Sequence, residues 1–164
     1  MDDWSGLRTA LVIVVWVTVM GGALMALLWT SFGGARALDP NDELMARAGV
    51  PLGEEGRKVT SFSSAQVGIH GLIGLLTASL ITYAAVRGDD RGAGYLAALV
   101  ALGVTAIPGT LMFLKWRAGS RPAVAGATVP DRRVEDRLPR PVVFLHGLAA
   151  ITTAAVVVAL LVLD

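Results

Sequence analysis

The stretch VGIHGLIGLLTASLITYAAV, Val67 to Val86, runs for twenty residues without an Asp, Glu, Lys or Arg. At a helical rise of about 1.5 Å per residue, it matches a bilayer hydrocarbon layer roughly 30 Å thick. Working outward, three more stretches share this character: about Thr9 to Trp29, Ala93 to Leu114 and Val142 to Leu163. The sequence therefore predicts an all-α integral membrane protein with a single membrane domain over residues 1–164. Its spans fall at about 9–29, 67–86, 93–114 and 142–163, with long loops at 31–65 and 117–140. Composition agrees: 54% of the 164 residues are hydrophobic and 16% charged, against about 25% charged in soluble domains. The N-terminus lacks the basic start and small-residue cleavage site of a signal peptide, so the first span is expected to be retained.

Local signals mark the span ends. Ser61, Ser63 and Ser64 are good N-caps for the second span, and Pro141 suits the first turn of the fourth. The connection Arg87 to Arg91 is so short that spans two and three form an antiparallel hairpin. In the first long loop, Asp39 to Gly49 reads as a short capped surface helix. The second long loop shows no periodicity. Pro108 is expected to kink the third span and, with Gly103 and Gly109, to leave room for a ligand or a neighbouring helix; Gly21 and Gly22 hold the corresponding place in span one.

Several function classes drop out. Fourteen basic residues against thirteen acidic ones give a net charge of +1 and no basic patch for a phosphate backbone, so nucleic acid is not an expected partner. There is no cysteine, which excludes disulfides, thiolate metal sites, iron–sulfur clusters and cysteine catalysis. Neither a nucleophile elbow nor a phosphate-binding loop occurs. No acidic residue lies in a span, which argues against a proton-coupled pump. The carboxylates Asp39, Asp42, Glu43, Glu54 and Glu55 match no calcium loop and read as a solvated face. Of the Lys and Arg residues, 3 lie on the side of the termini and 11 in the long loops. The positive-inside rule then puts the long loops in the cytoplasm and both termini outside. Abundant Arg, Ala and Gly with little Lys suggest a bacterial plasma membrane.

The chain also resembles itself. Val17 to Trp29 aligns with Val104 to Trp116 at seven identities in thirteen, among them Thr18 with Thr105, Gly22 with Gly109 and Met25 with Met112. His70-Gly71-Leu72 with Thr77-Ala78 likewise aligns with His146-Gly147-Leu148 and Thr153-Ala154. The expected architecture is a four-transmembrane-helix bundle of two tandem helix hairpins, with a pseudo-twofold axis along the membrane normal.

The repeat puts the chain's two histidines at equivalent positions, about one turn inside the second helix of each hairpin. An ionisable group inside a span is costly and normally faces the bundle interior, where it has a partner. The face below His70 runs through Gly74, Thr77 and Ile81, and that below His146 through Ala150, Thr153 and Val157. A small residue a turn away lets a flat macrocycle lie against the backbone, and two imidazoles at equal depth suit the axial positions of a haem iron. The expected cofactor is haem b, with His70 and His146 as iron ligands. Trp29 and Trp116, with Arg36, Lys115, Arg117 and Arg140, stand at the nearest interface, where they could clamp the propionates. Trp belts and cationic span ends also arise in membrane proteins without any ligand.

This organisation loosely resembles one half of the haem A synthases and other small membrane cytochromes b, in helix count and histidine placement. The chain has four spans where the synthases have eight, and its loops carry no motif of that family. The resemblance implies a b-type haem and one-electron transfer with quinol or a partner subunit, which leaves open whether the chain is an oxidoreductase subunit or only an electron carrier. The competing reading is a non-enzymatic accessory or assembly subunit of a larger membrane complex, with structural histidines held by hydrogen bonds and close packing at Gly68, Gly71 and Gly74. An imidazole-bound copper, a proton relay and a small homo-oligomeric transporter are further alternatives with less support.

Overall fold

A computed structural model describes residues 5–36, 60–88, 92–119 and 133–163. Four long helices dominate: α1 (Ser5–Ser31), α2 (Ser64–Arg87), α3 (Ala93–Gly119) and α4 (Arg140–Leu163). All four are long and apolar enough to cross a membrane, and the chain is an integral membrane protein. Short 3-10 turns follow α1 at Gly34–Arg36 and precede α4 at Val134–Arg137.

The helices run past the limits set by apolarity, most clearly at both ends of α1 and at the end of α3. Backbone hydrogen bonding continues into the interface, where Arg117 is exposed, Lys115 meets the Ser61 carbonyl and Gln66, and the Arg8 guanidinium lies beside Gly88. Ser63 caps α2 by accepting the Gln66 backbone N–H at 3.1 Å, and Pro141 sits in the first turn of α4. Arg87 ends α2, and Gly88 reverses the chain with φ at 64°, a left-handed conformation that favours glycine. The Asp39–Gly49 helix expected in the first long loop lies outside the described residues. The second loop holds more order than its lack of periodicity suggested, in the turn at Val134–Arg137 that buries Val134 and Leu138. Pro108 lies within α3, which remains one helix from Ala93 to Gly119.

Each helix packs against two neighbours, in the order α1, α2, α3, α4 and back to α1. That leaves α2 and α4 on one diagonal and α1 and α3 on the other. Two apolar clusters hold the bundle. Leu11, Val15, Ile81, Tyr95, Val157 and Leu160 fill the half near the termini. Trp29, Phe62, Trp116, Val134 and Leu138 close the half near the long loops. Outward positions such as Ile13, Met20, Leu76, Ile107 and Ile151 are exposed and apolar, as a surface facing lipid requires.

Candidate functional site

His70 and His146 are each the seventh residue of their helix, counted from Ser64 and Arg140, roughly 9 Å along it. They stand on opposite corners of the bundle and converge: the ring centroids are 6.4 Å apart and the planes cross at 83°. Below them, Thr77, Ile81, Thr153 and Val157 are buried, so the stripe running from each histidine faces inward. Gly74 and Ala150 lie on the same stripes and are half-buried.

Glycines on the other diagonal receive the imidazoles. A methyl added at Gly22 of α1 would stand 3.1 Å from Cε1 of His146, and one at Gly21 would stand 3.5 Å from its Nδ1. A methyl at Gly109 of α3 would stand 2.9 Å from Cε1 of His70. All four helices thus meet at one level, with imidazoles from α2 and α4 and bare backbone from α1 and α3. The hydrogen bonding of the two rings differs. Nδ1 of His146 lies 2.9 Å from the Thr18 carbonyl, which fixes that nitrogen as the donor and leaves Nε2 with a lone pair. Nδ1 of His70 is buried without a hydrogen bond of full geometry among the described residues, and the Thr105 backbone of α3 is the group that interacts with this ring. Two turns along α2, the Thr77 and Thr105 hydroxyls join at 2.9 Å, and Thr105 also donates to the Ala101 carbonyl of its own helix. No span carries a formal charge between residues 9–29, 67–86, 93–114 or 142–163, so carbonyls and hydroxyls are the polar groups at this level. Among the described residues no group of three or more His, Cys, Asp or Glu side chains could hold a metal ion. Within them, a metal here would have the two imidazoles as its protein ligands.

The interfacial residues make contacts of their own. Trp29 is buried and donates Nε1–H to the Thr60 hydroxyl at 3.2 Å. Trp116 is buried between Phe113 and Phe144, at centroid distances of 5.7 and 5.9 Å. Lys115 reaches the Ser61 carbonyl at 3.2 Å and Gln66 Oε1 at 3.1 Å. Arg117 and Arg140 are exposed, and the side chain of Arg36 lies outside the described residues. Trp29 and Lys115 therefore already have partners in the protein.

Those partners belong to a polar network that sequence reasoning missed. Glu135 is fully buried and accepts the Thr60 hydroxyl at 2.9 Å and the Ser61 backbone N–H at 2.7 Å. Arg133 donates to the Ser61 hydroxyl at 2.8 Å. The ends of the two long loops are thereby joined over α1, whose terminal Trp29 lies directly on Gly34. A usable signal was present: Glu135 falls between two apolar residues, Val134 and Leu138, just before a helix start.

Comparison with protein-family models, curated proteins and solved structures finds no match to this chain.

Proposed function

We propose that this chain is a small b-type haem protein of the membrane, with iron held between His70 and His146 and single electrons passed between quinol or a partner subunit and an acceptor. The observation that carries the reading is the 6.4 Å separation of the two imidazoles across the bundle diagonal. A metal bonded to one nitrogen of each ring at about 2 Å would set the ring centres roughly 6 Å apart. The glycines bring the two rings to one level: His146 lies against Gly21 and Gly22 of α1, and His70 against Gly109 of α3. When bound, the haem supplies a reversible one-electron couple. The chain contributes two neutral imidazoles, a charge-free span interior and a cap of apolar and aromatic side chains at one end.

The paired contacts also favour a duplicated hairpin with its axis along the membrane normal. Gly22 faces His146 as Gly109 faces His70, and the backbone of Thr18 faces one ring as that of Thr105 faces the other. On the positive-inside count the long loops and the Glu135 network belong to the cytoplasmic side of a bacterial plasma membrane.

A structural role has one specific observation in its favour, the His146 to Thr18 hydrogen bond between α4 and α1. It would make the protein a colourless accessory subunit of a larger complex. The two readings separate in His70→Ala and His146→Ala. Under the haem reading each loses the low-spin bis-imidazole spectrum of the wild type; an unchanged spectrum in both variants contradicts it.

A further inference from the structure

Resting on the haem reading above only for the ligating role, we infer that Thr18-x-x-x-Gly22 on α1 and Thr105-x-x-x-Gly109 on α3 are one positioning device used twice. Each threonine carbonyl accepts the Nδ1–H of the histidine opposite, so both rings are held as the same tautomer and both present Nε2 as the ligating nitrogen.

Helix geometry makes such a carbonyl available. Inside an α-helix a carbonyl gives one lone pair to the N–H four residues later, which belongs to Gly22 for Thr18 and to Gly109 for Thr105, and keeps the second. A side chain on that later residue leans back along the helix, over the carbonyl. Glycine in its place leaves the approach open to a ring. A methyl at Gly22 would stand 3.1 Å from Cε1 and 3.7 Å from Nδ1 of His146, and one at Gly109 would stand 2.9 Å from Cε1 and 3.6 Å from Nδ1 of His70.

The threonine hydroxyls are not the acceptors. That of Thr18 donates to the Val14 carbonyl at 2.9 Å and that of Thr105 to the Ala101 carbonyl at 2.8 Å, each one turn back in its own helix. The Thr18 carbonyl, by contrast, lies 2.9 Å from Nδ1 of His146. At His70 the Thr105 backbone is the group that meets the ring. Its N–H is engaged within α3, which leaves the carbonyl to face the buried Nδ1. Chain spacing repeats the relation, since Thr18 and Gly22 align with Thr105 and Gly109 as His146 aligns with His70.

A ring held at Nδ1–H by a carbonyl is fixed in orientation and is a stronger donor at Nε2. Two such donors favour the oxidised state of a bound iron and lower its reduction potential.

Nitrogen NMR of isotope-labelled histidines reads the tautomers directly, on the full chain in detergent before haem is supplied and with both imidazoles neutral. The expected result is a protonated Nδ1 and a bare Nε2 in both rings. Gly109→Ala is expected to disturb this state at His70 and spare His146, and Gly22→Ala the reverse; Thr18→Val keeps the carbonyl and leaves both rings as they are. In the haem that they retain, the two glycine variants are expected to show an upward shift of midpoint potential, and an unchanged potential in both contradicts the strengthening of Nε2. A protonated Nε2 at either histidine of the wild type, or rapid exchange between tautomers, overturns the inference whether or not the variants fold, and leaves the haem reading intact. A wild type with the expected tautomers that binds no haem when haem is supplied overturns the haem reading, and with it the ligating role, while the carbonyl hold on the two rings stands.

Discussion

Gly109 forms the wall on which the His70 imidazole rests, so close that a methyl at this position would stand 2.9 Å from Cε1. Gly109→Ala therefore displaces either the ring or α3. The expected cost is about 1–3 kcal/mol, the usual range for overpacking a filled site, together with weaker haem retention. Gly103→Ala on the same helix is the control, since a methyl there meets nothing within 4 Å. Thermal unfolding of both variants in detergent checks the contrast, and equal melting temperatures would remove the close approach from the account.

The buried carboxylate at the loop end makes a second prediction. Glu135→Ala leaves the Thr60 hydroxyl and the Ser61 N–H without their acceptor, at about 1–3 kcal/mol for buried groups left unpaired. Glu135→Gln keeps an acceptor oxygen and should recover part of the loss. Limited proteolysis of the long loops provides an independent readout, with faster cleavage expected in the Ala variant. Cleavage at the wild-type rate would mean that the network does not hold the loops together.

Helix contact within the membrane can be tested at Thr77. Thr77→Val removes the hydroxyl pair with Thr105, and interhelical hydrogen bonds in membrane proteins average about 0.6 kcal/mol. Thr152→Val should cost less, because the exposed Thr152 hydroxyl bonds only within its own helix, to the Leu148 carbonyl. A double-mutant cycle between Thr77 and Thr105 measures the coupling directly, and zero coupling would contradict the pair.

The spans and the inward stripe below each histidine were legible because bilayer thickness and helical period act on every residue of a span. Thr77, Ile81, Thr153 and Val157 lie on that stripe by spacing alone, and they are buried. Span ends were less legible: hydropathy detects hydrocarbon, whereas α1 and α3 continue on backbone hydrogen bonds into the interface. Gly22 and Gly109 could be aligned from sequence, but their role as surfaces for the imidazoles required the packing of helices that are distant in the chain. Glu135 was hidden for a different reason. A carboxylate in an arginine-rich loop reads as solvated, and its burial depends on Thr60 and Ser61, more than seventy residues earlier. The interfacial position of Trp29 and Lys115 does not by itself reveal the bonds they make to Thr60, Ser61 and Gln66.

The most direct test of the central claim is the absorbance spectrum of the detergent-purified protein, oxidised and then dithionite-reduced, with its haem-to-protein ratio, after expression with ample haem. The account predicts a sharp low-spin b-type difference spectrum at near one haem per chain. A featureless spectrum under those conditions would contradict it and leave His70 and His146 as packing residues.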